Sequence, residues 1–140
     1  MSAQTLRPTI DTESVCRIVV KARQFGAKEG VVEDDPGSNP ADEQFREVLA
    51  NYADDPVYEE LKTFISDMNI DDQLDLVALM WIGRNDFKAD EWPRAVALAS
   101  QEHTEHTAEY LLGTPLLADY LEEGLAQFGL TCLDFEQRRL

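Results

Sequence analysis

Apolar residues recur at intervals of three and four along most of the chain, which is the spacing of a helix with one buried face. Examples are Val15, Ile18 and Val19, then Val57, Leu61, Phe64 and Ile65, then Leu117, Tyr120, Leu121 and Leu125. No stretch long enough to form a strand alternates between apolar and polar residues. The segment from about residue 70 to 82 is apolar on all sides in its second half, as expected of a helix surrounded by others. The pattern predicts an all-α, single-domain bundle of five to seven helices around this central helix.

Capping residues and glycines predict where the helices begin and end. Asp11 or Thr12 would cap a first helix that runs to about Phe25, with Gly26 after it. Three more helices would open at Asn-Pro or Asp-Pro or Thr-Pro pairs, at 39–40, 55–56 and 114–115, because proline suits the first helical position. Asn69 would cap the central helix and Gly83 would end it. The acidic residues and turn formers of 27–39 predict a flexible acidic loop. The whole chain, 1–140, is predicted to form one domain.

The segment from about residue 91 to 112 has the most conspicuous stripe. Its members are Trp92, Val96, Ala99, His103, His106 and Tyr110, spaced as one face of one helix. A break near Thr104 stays open, because Thr104 and Thr107 are weak helix formers. In the last helix, Gly124 lies on the apolar stripe. We expect the close approach of another helix there, from this chain or from a second copy, so a homodimer is one alternative.

Charge and cysteine content limit the classes of function. The 28 acidic and 12 basic residues give a net charge of −16, which excludes direct nucleic-acid binding through a basic face. Residues 1–28 are the exception, with five basic and two acidic residues, and we expect this segment to pack against the acidic remainder. No apolar run could span a membrane and no secretory signal is visible. Two cysteines are too few for a disulfide scaffold, so the prediction is a cytoplasmic protein with Cys132 as a small apolar residue.

Four strings, taken in order and spacing, are similar to one protein family. They are LMWIGR at 79–84, Trp92, YLLGTPL at 110–116 and YLEEGL at 120–125. Over about residues 71–128 the chain resembles a proteobacterial family of small α-helical proteins known only as a domain of unknown function. The resemblance implies an α-helical cytoplasmic domain. It implies no activity, cofactor or catalytic residue.

Two groups of residues could take part in chemistry. His103 and His106 lie three apart, whereas a helical zinc pair of the HExxH type needs four, and no Glu-x-x-His unit includes either one. We therefore predict no metal and no cofactor, and expect both rings to pack beside Trp92 and Tyr110. Arg84 and Asp86 follow the central helix, where they could form an ion pair or hold a ligand's carboxylate or amide. If a pocket exists, its expected lining is Trp81, Arg84, Asp86, Trp92, His103, His106 and Tyr110.

No nucleophile elbow and no phosphate-binding glycine loop occurs, so we assign no catalytic residue. Three functions remain. The favoured one is a small acidic protein-interaction module without catalysis, with a protein partner. The first alternative is a small-ligand or metal-binding protein, or an enzyme, that uses the region of Trp81, Arg84 and His106. The second alternative is an acidic mimic of nucleic-acid charge that occupies a basic partner.

Overall fold

A computed structural model describes residues 6–29 and 56–133, with side chains for 6–24 and 56–133. The helices in this part of the chain are α1 (Thr12–Glu29), α2 (Pro56–Ser66), α3 (Ile70–Gly83), α4 (Trp92–Glu102), α5 (Thr107–Leu112) and α6 (Leu117–Gln127), with a 3-10 turn at Ala89–Glu91. No strand is present in these residues, which confirms the all-α prediction. None of these helices is long and apolar enough to cross a membrane.

Helix α3 is the centre of the fold, as its apolar sequence predicts. It packs against α4 and α6, while α1 packs against α2 and α6, and α2 against α5. Every residue from Gln73 to Ile82 is buried. Asn69 caps the helix, because its Oδ1 accepts a hydrogen bond from the Asp72 backbone N–H at 2.8 Å. The central helix was therefore predictable from the sequence in both position and surroundings.

Two glycines let α3 and α6 cross with their backbones in contact. A Cβ added to Gly124 would collide with the carbonyl oxygen of Leu79, and one added to Gly83 would collide with the carbonyl oxygen of Tyr120. The close approach predicted at Gly124 is confirmed, and the partner helix is α3 of the same chain. Helix α3 ends at Gly83, as predicted, although Gly83 itself does not have a positive φ. The residue with positive φ after α3 is Asn85, at 74°, and Gly83 serves the packing instead.

The two cysteines, expected to be unpaired, form a disulfide between α1 and the segment after α6. Cys16 and Cys132 have Cα atoms 5.5 Å apart, within the usual range for a disulfide, and both residues are buried. The sequence could not indicate this bond, because the cysteines are 116 residues apart. Disulfides are typical of oxidising compartments, so the cytoplasmic location stays a prediction that the bond does not favour.

Ion pairs join the basic helix α1 to acidic side chains elsewhere in the chain. The Arg23 guanidinium lies 2.8 Å from the Asp119 carboxylate and 2.7 Å from that of Glu122, and the Lys21 ammonium lies 3.1 Å from that of Glu60. The hydrogen bonds to Glu122 and Asp119 raise the pKa of Arg23 against the lowering effect of burial. The prediction that the basic segment packs against the acidic remainder is confirmed for these residues.

A buried carboxylate on α3 anchors the segment before α1. The Asp75 Oδ2 accepts hydrogen bonds from the Thr9 N–H at 2.8 Å, the Ile10 N–H at 3.1 Å and the Thr9 hydroxyl at 3.2 Å. Burial raises the pKa of Asp75, although these three hydrogen bonds lower it. The N-terminal segment thus supplies the donors that a carboxylate needs when it is taken out of water.

Several predicted boundaries were wrong. Helix α1 continues to Glu29, past Gly26, so residues 27–29 of the predicted loop are helical. Helix α6 begins at Leu117 and not at Pro115, because Leu116 takes a left-handed conformation with φ 64°. Gly129, with φ 75°, ends α6 as expected. The rest of the predicted loop, the cap at residue 55 and the helix expected to open at 39–40 lie outside the described residues.

Candidate functional site

One face of α3 forms the floor of a cavity. Leu74, Val77, Trp81 and Arg84 follow one another at intervals of three, four and three, so they share a side of the helix. The three apolar ones keep 6–8% of their surface exposed, whereas Leu76 on the opposite side keeps 0%. The central helix therefore has a face that is buried in the core and a second face that borders open space.

The opposite wall comes from the segment between α4 and α6. It consists of Ala99 and Glu102 of α4, His103, Thr104 and His106 of the following link, Thr107 and Tyr110 of α5, and Gly113, Thr114 and Pro115. The cavity has a volume of about 460 Å³. That is within the range of roughly 300–1,000 Å³ that small-molecule sites occupy.

This wall exists because the stripe predicted over 91–112 is divided between two helices. Helix α4 ends at Glu102 and α5 begins at Thr107. Thr104 holds the link in place: its hydroxyl accepts from the His106 backbone N–H at 3.0 Å, and its carbonyl accepts from the Thr107 hydroxyl at 2.9 Å. The prediction of one continuous face for His103 and His106 was wrong, and the break that the sequence left open is present.

The two histidines have different surroundings. The His103 Nε2 lies 2.9 Å from the Gln73 Oε1. The Gln73 amide nitrogen donates to the carbonyls of Ile65 and Met68, both at 3.1 Å, so its oxygen can only accept and His103 Nε2 carries the proton. The side chain of His106 is 69% exposed and lies 3.8 Å or more from the nearest carboxylates. His103 is fixed to the fold and His106 borders solvent.

A chain of polar contacts runs along the other end of the cavity. The Trp81 Nε1–H donates to the Tyr110 hydroxyl oxygen at 3.1 Å. The Arg84 guanidinium bonds the Asp86 Oδ2 through Nε at 2.8 Å and Nη2 at 2.7 Å. Burial lowers the pKa of Arg84, but the hydrogen bonds and charges of Asp86 and Tyr110 raise it to a greater extent. Arg84 is therefore a cation that contacts both Asp86 and Tyr110. The Arg84–Asp86 ion pair that the sequence suggested is present.

Five of the seven residues predicted to line a pocket do so, namely Trp81, Arg84, His103, His106 and Tyr110. Asp86 does not line the cavity, but it binds Arg84 beside it. Trp92 was predicted wrongly: it is 1% exposed, and its ring packs edge-on against Phe128 with centroids 5.3 Å apart. Leu74 and Val77 were missed, although their spacing from Trp81 could have identified them. Thr104 and Thr107 were missed because the helix break that places them has only a weak sequence signal, and Thr114, which follows α5, was missed as well.

Among residues 6–29 and 56–133, no group of three or more His, Cys, Asp or Glu side chains is arranged to hold a metal ion. A family model described as "Protein of unknown function (DUF3775)" matches residues 58–130. This range contains every residue that lines the cavity. Among curated proteins and solved structures nothing matches.

Proposed function

The chain belongs to the DUF3775 family, and we propose that it binds a small organic molecule in the cavity between α3, α4 and α5. The observation that supports this proposal is the combination of an apolar floor with a few polar groups around it, among them Arg84 and Tyr110 at one end. Small-molecule sites have this composition: mostly apolar and aromatic walls, with a few polar groups that orient the ligand.

The polar groups at that end include donors that the described contacts leave available. Asp86 occupies two of the five N–H groups of Arg84 and Tyr110 accepts from a further one, which leaves two available. The Tyr110 oxygen accepts from Trp81 and also neighbours the guanidinium, so the hydroxyl hydrogen of Tyr110 is free to donate elsewhere. The proposal includes no catalytic step, because His103 is bound to Gln73 and no nucleophile is paired with a base among the lining residues.

Nuclear magnetic resonance on the 15N-labelled protein tests the proposal. The chain has two tryptophans, so it gives two indole N–H signals. Trp81 borders the cavity and Trp92 lies in the core. A fragment that binds in the cavity should move the Trp81 signal in a saturable manner and leave the Trp92 signal in place. The fragments are first selected by thermal shift, since a ligand that binds only the folded state raises its stability.

Two substitutions in α4 provide a matched pair. Ala99 borders the cavity and Ala97 is exposed, so Ala99→Leu fills cavity volume whereas Ala97→Leu adds the same atoms in solvent. We expect Ala99→Leu to abolish the Trp81 shift and Ala97→Leu to preserve it, with circular dichroism as the check on folding. Fragments that bind equally to both folded variants, or that move only Trp92, would contradict the proposal.

A protein-interaction surface is a second candidate, supported by Leu116. This residue is 59% exposed, has a left-handed backbone and directly follows Pro115 at the cavity wall. A strained, exposed leucine beside a cavity is the kind of feature that marks contact sites. The test is capture of a partner that survives high-salt washing with the wild type and is lost with Leu116→Gly. The homodimer and the mimicry of nucleic-acid charge stay predictions.

A further inference from the structure

The cavity has two chemically different ends. At the start of its floor, Leu74 lies next to Gln73, which holds His103, and Glu102 adjoins that histidine. At the other end, Trp81 and Arg84 face Tyr110 and Thr114. Ten residues of helix separate Leu74 from Arg84, which corresponds to about 15 Å along the axis. A ligand that lies along α3 therefore has its two ends in different environments.

Arg84 is the only Lys or Arg side chain among the described residues that line the cavity. Its counterion, Asp86, is not part of the lining, so the carboxylate approaches the guanidinium from outside. The remaining N–H groups of Arg84 and the hydroxyl hydrogen of Tyr110 form a set of donors at that end. The net charge of −16 opposes an anion at long range. At about 0.15 M salt the screening length is roughly 8 Å, so the charges closest to the ligand determine whether an anion binds.

We infer that the ligand of this site is a small organic acid whose carboxylate binds Arg84 and Tyr110 and whose apolar body lies over Trp81, Val77 and Leu74; this rests on the proposed function. A carboxylate accepts from several donors at once and gains from a charge-assisted hydrogen bond to arginine. A neutral amide of the same shape has one acceptor oxygen and no charge. A cationic ligand has no acceptor for Arg84 and would instead be drawn to Glu102 at the other end.

Three probes with one carbon skeleton test the inference: 3-phenylpropanoate, 3-phenylpropanamide and 3-phenylpropylamine. Each is titrated at pH 7 and about 0.15 M salt, and the dissociation constant is taken from the Trp81 indole signal. We expect the acid to bind about tenfold or more tightly than the amide, the ratio that one charge-assisted hydrogen bond supplies. Arg84→Gln should remove this ratio by weakening the acid alone.

Asp86→Asn supplies a variant with the opposite expected effect. It frees Arg84 from its carboxylate while keeping a side chain of the same size, so the acid should bind more tightly and the amide should not change. The Arg84–Asp86 pair is partly exposed, so its loss should cost little stability, and thermal melts verify the folding of both variants.

The outcomes separate the inference from the proposed function. Equal binding of acid and amide at Trp81 overturns the inference and leaves the small-molecule site standing, as does tightest binding by the amine. An unchanged acid preference in Arg84→Gln also overturns the inference, because the selectivity would then come from another group. If none of the three probes moves the Trp81 signal, the inference is wrong. If the fragment library gives no Trp81 shift either, the proposed function fails with it.

Discussion

Loss of the Cys16–Cys132 disulfide should lower the stability of this protein more than any surface change. The bond closes a loop of 116 residues. In the chain-entropy account, closing a loop of that length lowers the entropy of the unfolded chain by about 16 cal/mol/K, which corresponds to about 5 kcal/mol of stabilisation at 25 °C. Measured values for disulfides are typically about 2–4 kcal/mol, so we expect a loss of about 2–5 kcal/mol. With about 2.1 cal/mol/K of unfolding entropy per residue, a chain of 140 residues should melt about 7–17 °C lower.

The assay is a double-mutant cycle of Cys16→Ala, Cys132→Ala and the double variant, melted with and without reductant. If the bond forms, either single substitution already removes the tether, so the double variant loses little more. Reductant should then lower the melting temperature of the wild type alone, provided that the protein is unfolded and refolded in its presence. Two unpaired buried cysteines would instead give smaller losses that add, with no effect of reductant.

Additive single losses and a reductant-insensitive wild type would refute the reasoning. Alkylation of the unfolded, unreduced protein gives an independent check, because a disulfide leaves no thiol to modify. The same alkylation applied to protein taken directly from cells also tests the cytoplasmic prediction, since reducing compartments keep thiols free.

Three further predictions concern single residues. Gly124→Leu should destabilise the fold by about 1–3 kcal/mol or more, because a side chain there meets the Leu79 carbonyl; Ala126→Leu on the exposed face of α6 is the control, and equal melting temperatures would contradict the packing. Burial raises the pKa of Asp75, so its contribution to stability is present below the unfolded pKa and is lost as the pH rises through the folded one. The stability of the wild type relative to Asp75→Asn should therefore fall in paired melts as the pH rises through the folded pKa of Asp75, and a difference that does not change with pH would contradict the raised pKa. Leu116→Gly should leave stability unchanged or raise it by about 1 kcal/mol, since it relieves a positive φ at an exposed side chain; chemical denaturation measures this, and a loss above about 1 kcal/mol would mean that the side chain packs.

The cavity shows how far residue pattern alone can locate a site. Trp81, Arg84 and Tyr110 were identified from their types and from their neighbourhood of the central helix, and they do meet. Trp92 was assigned to the same group because an unbroken helix would have aligned it with Tyr110. Once α4 ends at Glu102, the two aromatic residues belong to two separate helices, and Trp92 packs in the core against Phe128.

Helix boundaries were likewise predictable only where contacts between residues close in sequence set them. Asn69 predicted the start of α3 because a cap is a contact between residues three apart. Leu116 could not be foreseen as the residue before α6, since proline at 115 gave a good local start. Gly83 had a sufficient local explanation as a helix end, yet its position is also explained by close contact with Tyr120, which lies 37 residues further along the chain in α6.

The sequence by itself determined the helical class, the identity of the central helix, the match of basic α1 to acidic partners and the need for close packing at Gly124. These properties follow from periodicity, capping and composition, which act over a few residues or over the chain as a whole. Only the tertiary structure decided the Cys16–Cys132 bond, the partner of Gly124, the burial of Asp75 under Thr9 and the cavity beside Trp81. Each of these depends on groups far apart in the chain, and their proximity is set by how whole helices pack, which no local pattern of residues encodes.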